Sequence, residues 1–299
     1  LRRCFFMLKD SFLKFLRFEK NYSDKTIVSY GTDLSKFEEY FKKLDENLDF
    51  TAVDADIIRG WVLSLMEDGY TATSVNRKLS SLRSFYHYLL RQGVVSVDPL
   101  LKVTGPKKKK PLPVFIKDAD MTRLLDETAF DAGFEGLRDR LILEVFYETG
   151  IRRSELIGLT DADVDLFAKQ IKVTGKRNKQ RLIPFGDELK ENIEAYLSAR
   201  KDLLPEGGEA FFVRKNGKAM YPYLVYLLVK RYLSRVVSLK KKSPHVLRHT
   251  FATSMLNNHA ELSAVKELLG HESLTTTEVY THTTFEELKK VYEQAHPRA

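Results

Sequence analysis

Apolar residues recur every three or four positions through the first hundred residues, the spacing that places side chains on one face of an α-helix. The clearest run follows Ser23, a residue type that favours the N-cap of a helix. Its apolar positions are Ile27, Tyr30, Leu34, Phe37, Phe41 and Leu44. Two further runs, Ile57 to Leu65 and Val75 to Leu89, are each soon followed by a glycine that can end a helix. With a shorter segment around Phe12, these runs predict four helices that pack as a bundle.

A basic segment that contains prolines separates these helices from the rest of the chain. Residues 104–113 hold three prolines, which cannot continue a helix, and four adjacent lysines, Lys107, Lys108, Lys109 and Lys110. Because the lysines repel one another, the segment is either a solvated tether or a strap that pairs with the phosphates of a duplex, and both readings remain open. The sequence predicts one domain over residues 1–103, a linker over 104–113 and a second domain over 114–299.

Beyond the linker the pattern alternates between helical and strand periods. Helical spacing covers residues 118–128, 137–149, 187–200 and 223–237. Two short runs, Gln170 to Thr174 and Gln180 to Pro184, read as strands joined by a polar turn that contains Gly175 and Lys176. The expected fold class is mainly α with a small β-sheet, in which an all-helical domain is followed by a mixed α+β domain.

Composition indicates a folded protein with a modest basic excess. A chain of 299 residues with 43% hydrophobic content can bury a core in each of two domains. The single cysteine, Cys4, cannot form an internal disulfide, and the apolar stretches are too short for a signal peptide or a membrane span, so we expect a cytoplasmic protein. Net charge is +8, with 20 basic and 14 acidic side chains before residue 111. Phosphate affinity in the nearly balanced second domain must therefore come from placed residues.

A short segment that begins at Ser243 carries the first candidate chemistry. Ser243 suits an N-cap and Pro244 a first helical position, so His245 and Arg248 would lie one turn apart on one face. Free N–H groups at such a helix start favour a phosphate beside them. His245 and His249 also have the spacing of zinc ligands, but neither a His-Glu-x-x-His pattern nor a cysteine pair supplies further ligands. A metal site is therefore not expected.

Lys176, at the tip of the hairpin, is the second candidate. It does not belong to a nucleotide-binding P-loop, because Gln170 and Arg177 stand where that motif needs Gly and Ser or Thr. A lysine at such a turn is ordinarily a solvated side chain. On a two-stranded finger, however, its ammonium could reach into a DNA groove and give a proton to a leaving oxygen.

Taken in order, four motifs resemble the tyrosine recombinase and phage integrase family. Residues Tyr147 to Leu156 are similar to the family's first box, and Lys176 matches its hairpin lysine. His245 to His249 match the second box, and Leu268 to His271, followed by Tyr280, match the third. Each motif alone is short, but the ordered set is specific. The amino-terminal helices resemble the family's core-binding domain, so the resemblance covers nearly the whole chain.

The resemblance implies a catalytic set and a supporting carboxylate. These are Arg152, Lys176, His245, Arg248, His271 and the nucleophile Tyr280, supported by Glu155. The two arginines would hold a DNA phosphate where other enzymes use a metal ion, so no cofactor is expected. Tyr280 would form a 3′-phosphotyrosyl link to DNA, and Lys176 would protonate the departing oxygen. DNA contacts are further expected from the linker lysines, Arg177 and Arg181.

The carboxyl-terminal tail, about residues 282–299, resembles the ends of the Xer group of bacterial recombinases, which resolve chromosome dimers; the XerC type is preferred to XerD. The tail could pack on its own domain, but the resemblance implies docking into the next protomer. Expected partners are double-stranded DNA, a tetramer on two DNA sites that includes either identical subunits or a sister recombinase of the XerD type, and a DNA translocase of the FtsK kind. A mobile-element integrase, an invertase or a tyrosine-type topoisomerase would share the chemistry, whereas a non-enzymatic DNA-binding protein would need only the first domain.

Overall fold

The computed structural model describes residues 2–108, 114–175, 178–204, 208–270 and 284–299, with side chains described from residue 8 onward. The chain divides into two compact units, Leu1–Pro111 and Leu112–Ala299. Each unit has its own hydrophobic core, so each is described by itself. Helices dominate both units and a small sheet lies in the second, which confirms the predicted fold class.

Four helices build the described part of the first unit. They are α1 (Arg2–Phe18), α2 (Asp24–Leu44), α3 (Ala55–Glu67) and α4 (Ala72–Arg91). The side chains of Ser23, Asp54 and Thr71 accept hydrogen bonds from backbone N–H groups in the first turns of α2, α3 and α4. These bonds satisfy donors that have no partner inside the helix. The four predicted helices are confirmed, and α1 is longer than the segment expected around Phe12.

Aromatic side chains fill the core of the first unit. Phe85 lies edge-on to Phe12 and to Phe50, with ring centroids 5.3 and 4.9 Å apart. Phe37 packs on Trp61 with centroids 4.8 Å apart. Such pairs contribute about 0.5–1.5 kcal/mol each beyond the apolar area they bury. Aromatic residues at the helically spaced positions of the sequence thus pack the helices together.

The described part of the second unit contains eight α-helices and a three-stranded sheet. The helices are α5 (Asp118–Thr122), α6 (Phe134–Thr149), α7 (Arg153–Ile157), α8 (Asp187–Leu203), α9 (Pro222–Val236), α10 (Pro244–Asn257), α11 (Leu262–Leu269) and α12 (Phe285–Ala295). The strands are β1 (Val164–Asp165), β2 (Gln170–Thr174) and β3 (Gln180–Pro184), antiparallel in the order β1-β2-β3. Strands β2 and β3 have the predicted bounds. Across the described residues of both units, no helix is both long and apolar enough to cross a membrane.

Three parts of the second unit differ from the sequence prediction. The single helix expected over residues 118–128 is α5 followed by a π-helical turn, Arg123–Glu127, which buries the adjacent Leu124 and Leu125 together. Helix α6 begins three residues before its predicted start, because Gly133 at a φ of 77° turns the chain into the helix. Strand β1 is not predicted either, because its two residues are too few to show the alternation of a strand.

Helix α6 crosses the centre of the second unit. Every residue from Leu141 to Thr149 is buried, and α8 and α10 pack against it. The helix ends at Gly150, whose φ is 57°, and a Cβ there would lie 2.6 Å from a ring carbon of Phe251. Glycine is required at this position for its backbone conformation and for the close approach. The turn that follows carries Arg152 out of the core.

The carboxyl-terminal segment lies against the same unit. Leu288, Tyr292 and Ala295 of α12 are buried in its core. Beyond the helix, Arg298 makes ion pairs with acidic side chains that we call the carboxylate cluster. Its members are Asp126, Glu144, Glu148 and Glu188. In this single chain the tail therefore packs on its own domain.

Candidate active site

The turn after α6 places Arg152 on a buried carboxylate. Glu155, on the first turn of α7, accepts the backbone N–H of Arg152 with Oε2 at 2.8 Å. Its Oε1 accepts from Nη1 of the same arginine at 2.7 Å. The side chain of Glu155 is 3% exposed, whereas that of Arg152 is 36% exposed. The carboxylate therefore fixes the arginine from the protein side and leaves part of the guanidinium open to a ligand.

Three arginines converge on the carboxyl end of α11. Three consecutive carbonyls, those of residues 268, 269 and 270, each accept from a different guanidinium. The donors are, in that order, Nε of Arg181 at 2.7 Å, Nη2 of Arg248 at 2.5 Å and Nη2 of Arg152 at 2.8 Å. The last carbonyls of a helix lack donors inside the helix and form the negative end of its dipole, so they attract cations. These three arginines and Glu155 form what we call the arginine cluster.

Arg248 is the most buried arginine of the cluster. Helix α10 starts at Pro244 with Ser243 at its N-cap, as predicted, and this start places Arg248 in the second turn. Nη1 of Arg248 donates to the carbonyl of Gly150 at 2.6 Å, and the residue is 8% exposed. Arg248 thus joins the end of α6 to the end of α11.

His245 lies one turn before Arg248 and is exposed. Partial loss of solvent and the positive charges of Arg153, His249 and Arg248 lower the pKa of His245 below its usual 6.5. The imidazole is therefore neutral at pH 7. In that form it can accept a proton.

The arginine cluster sets three guanidinium groups against one carboxylate. Burial raises the pKa of Glu155, but hydrogen bonds from Arg181 and Arg152 outweigh burial and lower the pKa from 4.5 to about 2. Burial, together with the charges of Arg152 and Arg181, lowers the pKa of Arg248 from 12.5 to about 10. The cluster sets three basic side chains against one acidic side chain, so positive charge is in excess. Because uncompensated charge away from water is costly, this arrangement favours a bound anion.

Several residues of the predicted site lie outside the described residues. They are Lys109, Lys110, Lys176, Arg177, His271 and Tyr280. The described neighbours of two of them lie at the arginine cluster. A Cβ at Gly175, which precedes Lys176, would lie 3.5 Å from Oε1 of Glu155. Gly270, which precedes His271, accepts the hydrogen bond from Arg152.

Two further described candidates belong to the first unit. Lys107 and Lys108 are exposed at the end of the first unit. Among the residues that the structure describes, no three His, Cys, Asp or Glu side chains come together as a possible metal site. Within the second unit, the structure thus brings together Arg152, Arg248, Glu155 and Arg181.

The sequence pattern does not predict the contacts of Arg181. The sequence suggested a DNA contact, whereas its Nη1 and Nη2 donate to the two oxygens of Glu155 at 3.0 and 2.9 Å. The alternation of side chains along β3 indicates that Arg181 faces inward, because Arg181 and Ile183 lie on one face of the strand and Ile183 is buried. An arginine on an inward face needs a carboxylate partner. The carboxylate partner of Arg181, Glu155, lies 26 residues away in the sequence, and the alternation along β3 does not identify it.

Comparisons with known proteins cover both units. The model of the phage integrase family matches residues 115–287, and that of the phage integrase N-terminal SAM-like domain matches residues 10–93. Tyrosine recombinase XerC of Chlorobaculum tepidum is 40% identical over 314 residues, covering 96% of this chain and 94% of the relative. Tyrosine recombinase XerC of Staphylococcus saprophyticus is 40% identical over 292 residues, covering 98% of each.

A solved structure shares the fold. The XerH site-specific recombinase bound to a palindromic difH substrate, in a post-cleavage complex, matches with a TM-score of 0.72 at 23% identity. The match covers 94% of this chain and 83% of that one. The matched family models and the identity to the two relatives agree with the family that the motifs indicate. The chain therefore belongs to the phage integrase family, as a tyrosine-type site-specific recombinase.

Proposed function

We propose that this recombinase cuts and rejoins double-stranded DNA through a covalent 3′-phosphotyrosyl intermediate, without a metal ion and without ATP. The observation that carries the proposal is the excess of positive charge in the arginine cluster, where Glu155 alone faces three guanidinium groups. A DNA phosphate is an anion that would balance this excess. The partly exposed Arg152 gives it a point of access.

Arg152 and Arg248 would hold the non-bridging oxygens of that phosphate. In the described hydrogen bonds each arginine uses two of its five N–H groups on the protein. The others can form charge-assisted hydrogen bonds to phosphate oxygens. Because the protein contacts fix both side chains before DNA binds, little reorganisation accompanies the growth of negative charge in the transition state.

The covalent step is an exchange of phosphate esters. The phenolic oxygen of Tyr280 would attack phosphorus and form a phosphotyrosyl bond, while the bond between phosphorus and the 5′ oxygen breaks. The 5′ hydroxyl of another strand would later attack the same phosphorus and release Tyr280. Each step makes one ester as it breaks another, so no ATP is needed.

Three side chains would manage protons and charge around this exchange. His245, whose pKa is lowered below its usual value, would accept the proton that Tyr280 gives up. Lys176 would protonate the departing 5′ oxygen. His271 would donate a hydrogen bond to a phosphoryl oxygen. The positions of Gly175 and Gly270 at the arginine cluster support both of these last assignments.

The two compared relatives, both named tyrosine recombinase XerC, support a role in resolving chromosome dimers in the cytoplasm. The active assembly would be a tetramer on two DNA sites, of identical subunits or with a sister recombinase of the XerD type. A DNA translocase of the FtsK kind would bring the sites together. In such an assembly α12 would leave its own unit and bind the next protomer, and the linker lysines, Lys107 to Lys110, would pair with phosphates.

The test is the trapping of the covalent intermediate. A duplex that carries a core site, nicked so that the short cleaved fragment diffuses away, should accumulate a protein–DNA adduct with the wild-type protein in EDTA and without ATP. The adduct should map to Tyr280 and to a 3′ phosphate end. The variant Tyr280→Phe should form none, because phenylalanine has no attacking oxygen.

Tyr223→Phe is the matched control, since Tyr223 is an exposed tyrosine of α9. It should form the adduct as the wild type does. An adduct formed by Tyr280→Phe would place the nucleophile elsewhere. Cleavage that fails in EDTA and returns with Mg²⁺ would contradict the role given to the arginines.

A further inference from the structure

We propose that Arg181 is a positioning residue of the recombinase reaction, which fixes Glu155 and the end of α11 and does not bind DNA itself. The inference rests on the proposed function and adds a residue to it. Arg181 lies outside the four motifs that carry the family resemblance. Its importance follows from its contacts alone.

All three nitrogens of the Arg181 guanidinium donate to the protein. Nη1 and Nη2 form a forked pair with Glu155, and Nε donates to the carbonyl of Leu268. The side chain of Arg181 is 13% exposed, whereas that of Arg152 is 36% exposed. A forked pair restricts both partners in distance and in plane. Arg181 is therefore held on the protein side as a structural link. Of the two arginines bound to Glu155, Arg152 is the more exposed.

The link joins three elements of the second unit. Arg181 belongs to β3, the strand that follows Lys176 in the sequence. Glu155 belongs to α7 and holds Arg152 by its backbone and its side chain. The third element is the end of α11, which directly precedes His271.

Gly270 makes the link compact. A Cβ at this position would lie 3.1 to 3.3 Å from Nη1, Cδ and Nε of Arg181. The backbone at the end of α11 thus passes directly over the guanidinium. Movement of Arg181 would be transmitted to the carbonyl of Gly270, which accepts from Arg152, and to the chain that continues into His271.

Loss of Arg181 would weaken the hold on Arg152 through Glu155. Hydrogen bonds from Arg181 are the strongest influence that lowers the pKa of this buried carboxyl. Without them only Arg152 opposes burial, so the pKa of Glu155 is higher, and the protonated form accepts poorly from both the N–H and the guanidinium of Arg152. The expected defect lies in the rate of the chemical step. A DNA-binding arginine would instead affect affinity and its salt dependence.

The first experiment compares rate with affinity. For Arg181→Met, which keeps the length of the side chain, cleavage in a single turnover at saturating DNA should fall by about 10- to 100-fold. The Kd for the same DNA and the slope of log Kd against log salt should stay at the wild-type values. Lys172→Met on the neighbouring strand β2 is the matched control, since it removes a cation that pairs with Asp163 and not with Glu155. The control should cleave at the wild-type rate.

The second experiment asks whether Arg181 acts through Glu155. In the double variant Arg181→Met, Glu155→Gln, the loss of rate should be smaller than the product of the two single losses, because both residues act partly through the same forked pair. The defect of Arg181→Met should grow as pH falls from 8 to 5.5, while that of Glu155→Gln should not change with pH. A merely structural role for Arg181 would leave the two pH profiles alike.

Arg181→Lys keeps a cation and one donor and provides the test if the methionine variant fails to fold; its loss of rate should be about 3- to 10-fold. Single-turnover rates within twofold of the wild type in the folded Arg181 variants would overturn the inference, as would additive losses in the double variant. A weaker Kd with a salt slope reduced by about one would identify Arg181 as a phosphate contact. All these outcomes are measured against a wild type that forms the tyrosyl adduct. Absence of that adduct would refute the proposed function and not the positioning role.

Discussion

The second unit contains two clusters of charged side chains, each partly buried, with opposite compositions. The arginine cluster has three guanidinium groups and one carboxylate. The carboxylate cluster gathers four acidic side chains around Arg298, with Arg140 at its edge. Both are stabilised by ion pairs between distant parts of the chain. They differ in the sign of the charge that remains uncompensated.

The pKa values of the buried carboxyl groups in the two clusters shift in opposite directions. Burial alone raises the pKa of a carboxyl group. In the carboxylate cluster burial prevails, and it raises the pKa of Glu144 from 4.5 to about 7 and that of Glu148 well above its usual value. In the arginine cluster the hydrogen bonds of two arginines outweigh burial, so the pKa of Glu155 falls to about 2. Two arginines donate hydrogen bonds directly to Glu155, whereas Glu144 accepts from Asn192 and lies 3.8 Å from the guanidinium of Arg298, so direct hydrogen bonds from arginine account for the difference.

This difference separates a ligand site from an internal contact. A carboxyl group can take up a proton when its surroundings disfavour charge, so the carboxylate cluster can reduce its own excess. Arginine keeps its proton at any relevant pH, and the arginine cluster can lower its excess only by binding an anion. The carboxylate cluster holds the carboxyl-terminal segment of the chain itself. The arginine cluster is suited to a phosphate from outside.

Removing one guanidinium from the arginine cluster should have the largest effect. For Arg152→Ala, single-turnover cleavage at saturating DNA is expected to fall by roughly 100- to 1,000-fold, because the transition state loses charge-assisted donors. Arg231→Ala removes an exposed arginine that pairs with Asp131 on the surface of the same unit. This control should cleave at a rate close to that of the wild type. Equal losses in the two variants would mean that general charge, and not the cluster, supports the reaction.

Removing the guanidinium of the carboxylate cluster should act on stability. Arg298→Met removes the cation that pairs with both Glu144 and Glu148, so the free energy of unfolding should fall by about 3 kcal/mol at pH 7.5. The loss should shrink at pH 5.5, because the carboxyl groups take up protons. Urea denaturation at the two pH values measures both effects.

Arg298→Lys is the control for charge. It keeps a cation but cannot donate as a fork to Asp126, which Arg298 meets with Nη1 and Nη2 at 3.0 Å each. Its loss should be smaller than that of the methionine variant. If both variants lose the same stability at both pH values, packing of the side chain and not its charge holds the tail.

The sequence predicted those parts of the molecule whose cause is local. Ser23 marks the start of α2, and the bounds of β2 and β3 follow from alternation on either side of a polar turn. Arg152, Arg248 and Glu155 were predicted through the motifs, and the structure places them together in one cluster.

What the sequence could not predict depends on contacts between distant residues. Glu144 and Glu148 lie four apart on α6, a spacing that suggests two repelling groups on a solvated face. They are buried because α6 is surrounded on all sides, and their cation comes from Arg298 at the end of the chain. A local pattern contains no trace of a partner 150 residues away.

The smallest expected effect concerns how stability depends on pH, and it isolates one carboxyl of the carboxylate cluster. The pKa of Glu144 is raised in the folded state, so its contribution to stability is fully present below about 4.5 and is lost as pH rises through about 7. In Glu144→Gln the decrease in unfolding free energy between pH 5 and pH 7.5 should be smaller than in the wild type by about 2 kcal/mol. Glu194→Gln, at an exposed position of α8, should keep the wild-type dependence. The sign is the reverse of that for Glu155, whose lowered pKa adds stability above about 4.5 that is lost only as pH falls through about 2. If urea denaturation shows Glu144→Gln with the same pH dependence as the wild type, the carboxylate cluster does not hold a proton near neutral pH, and the contrast between the two clusters fails.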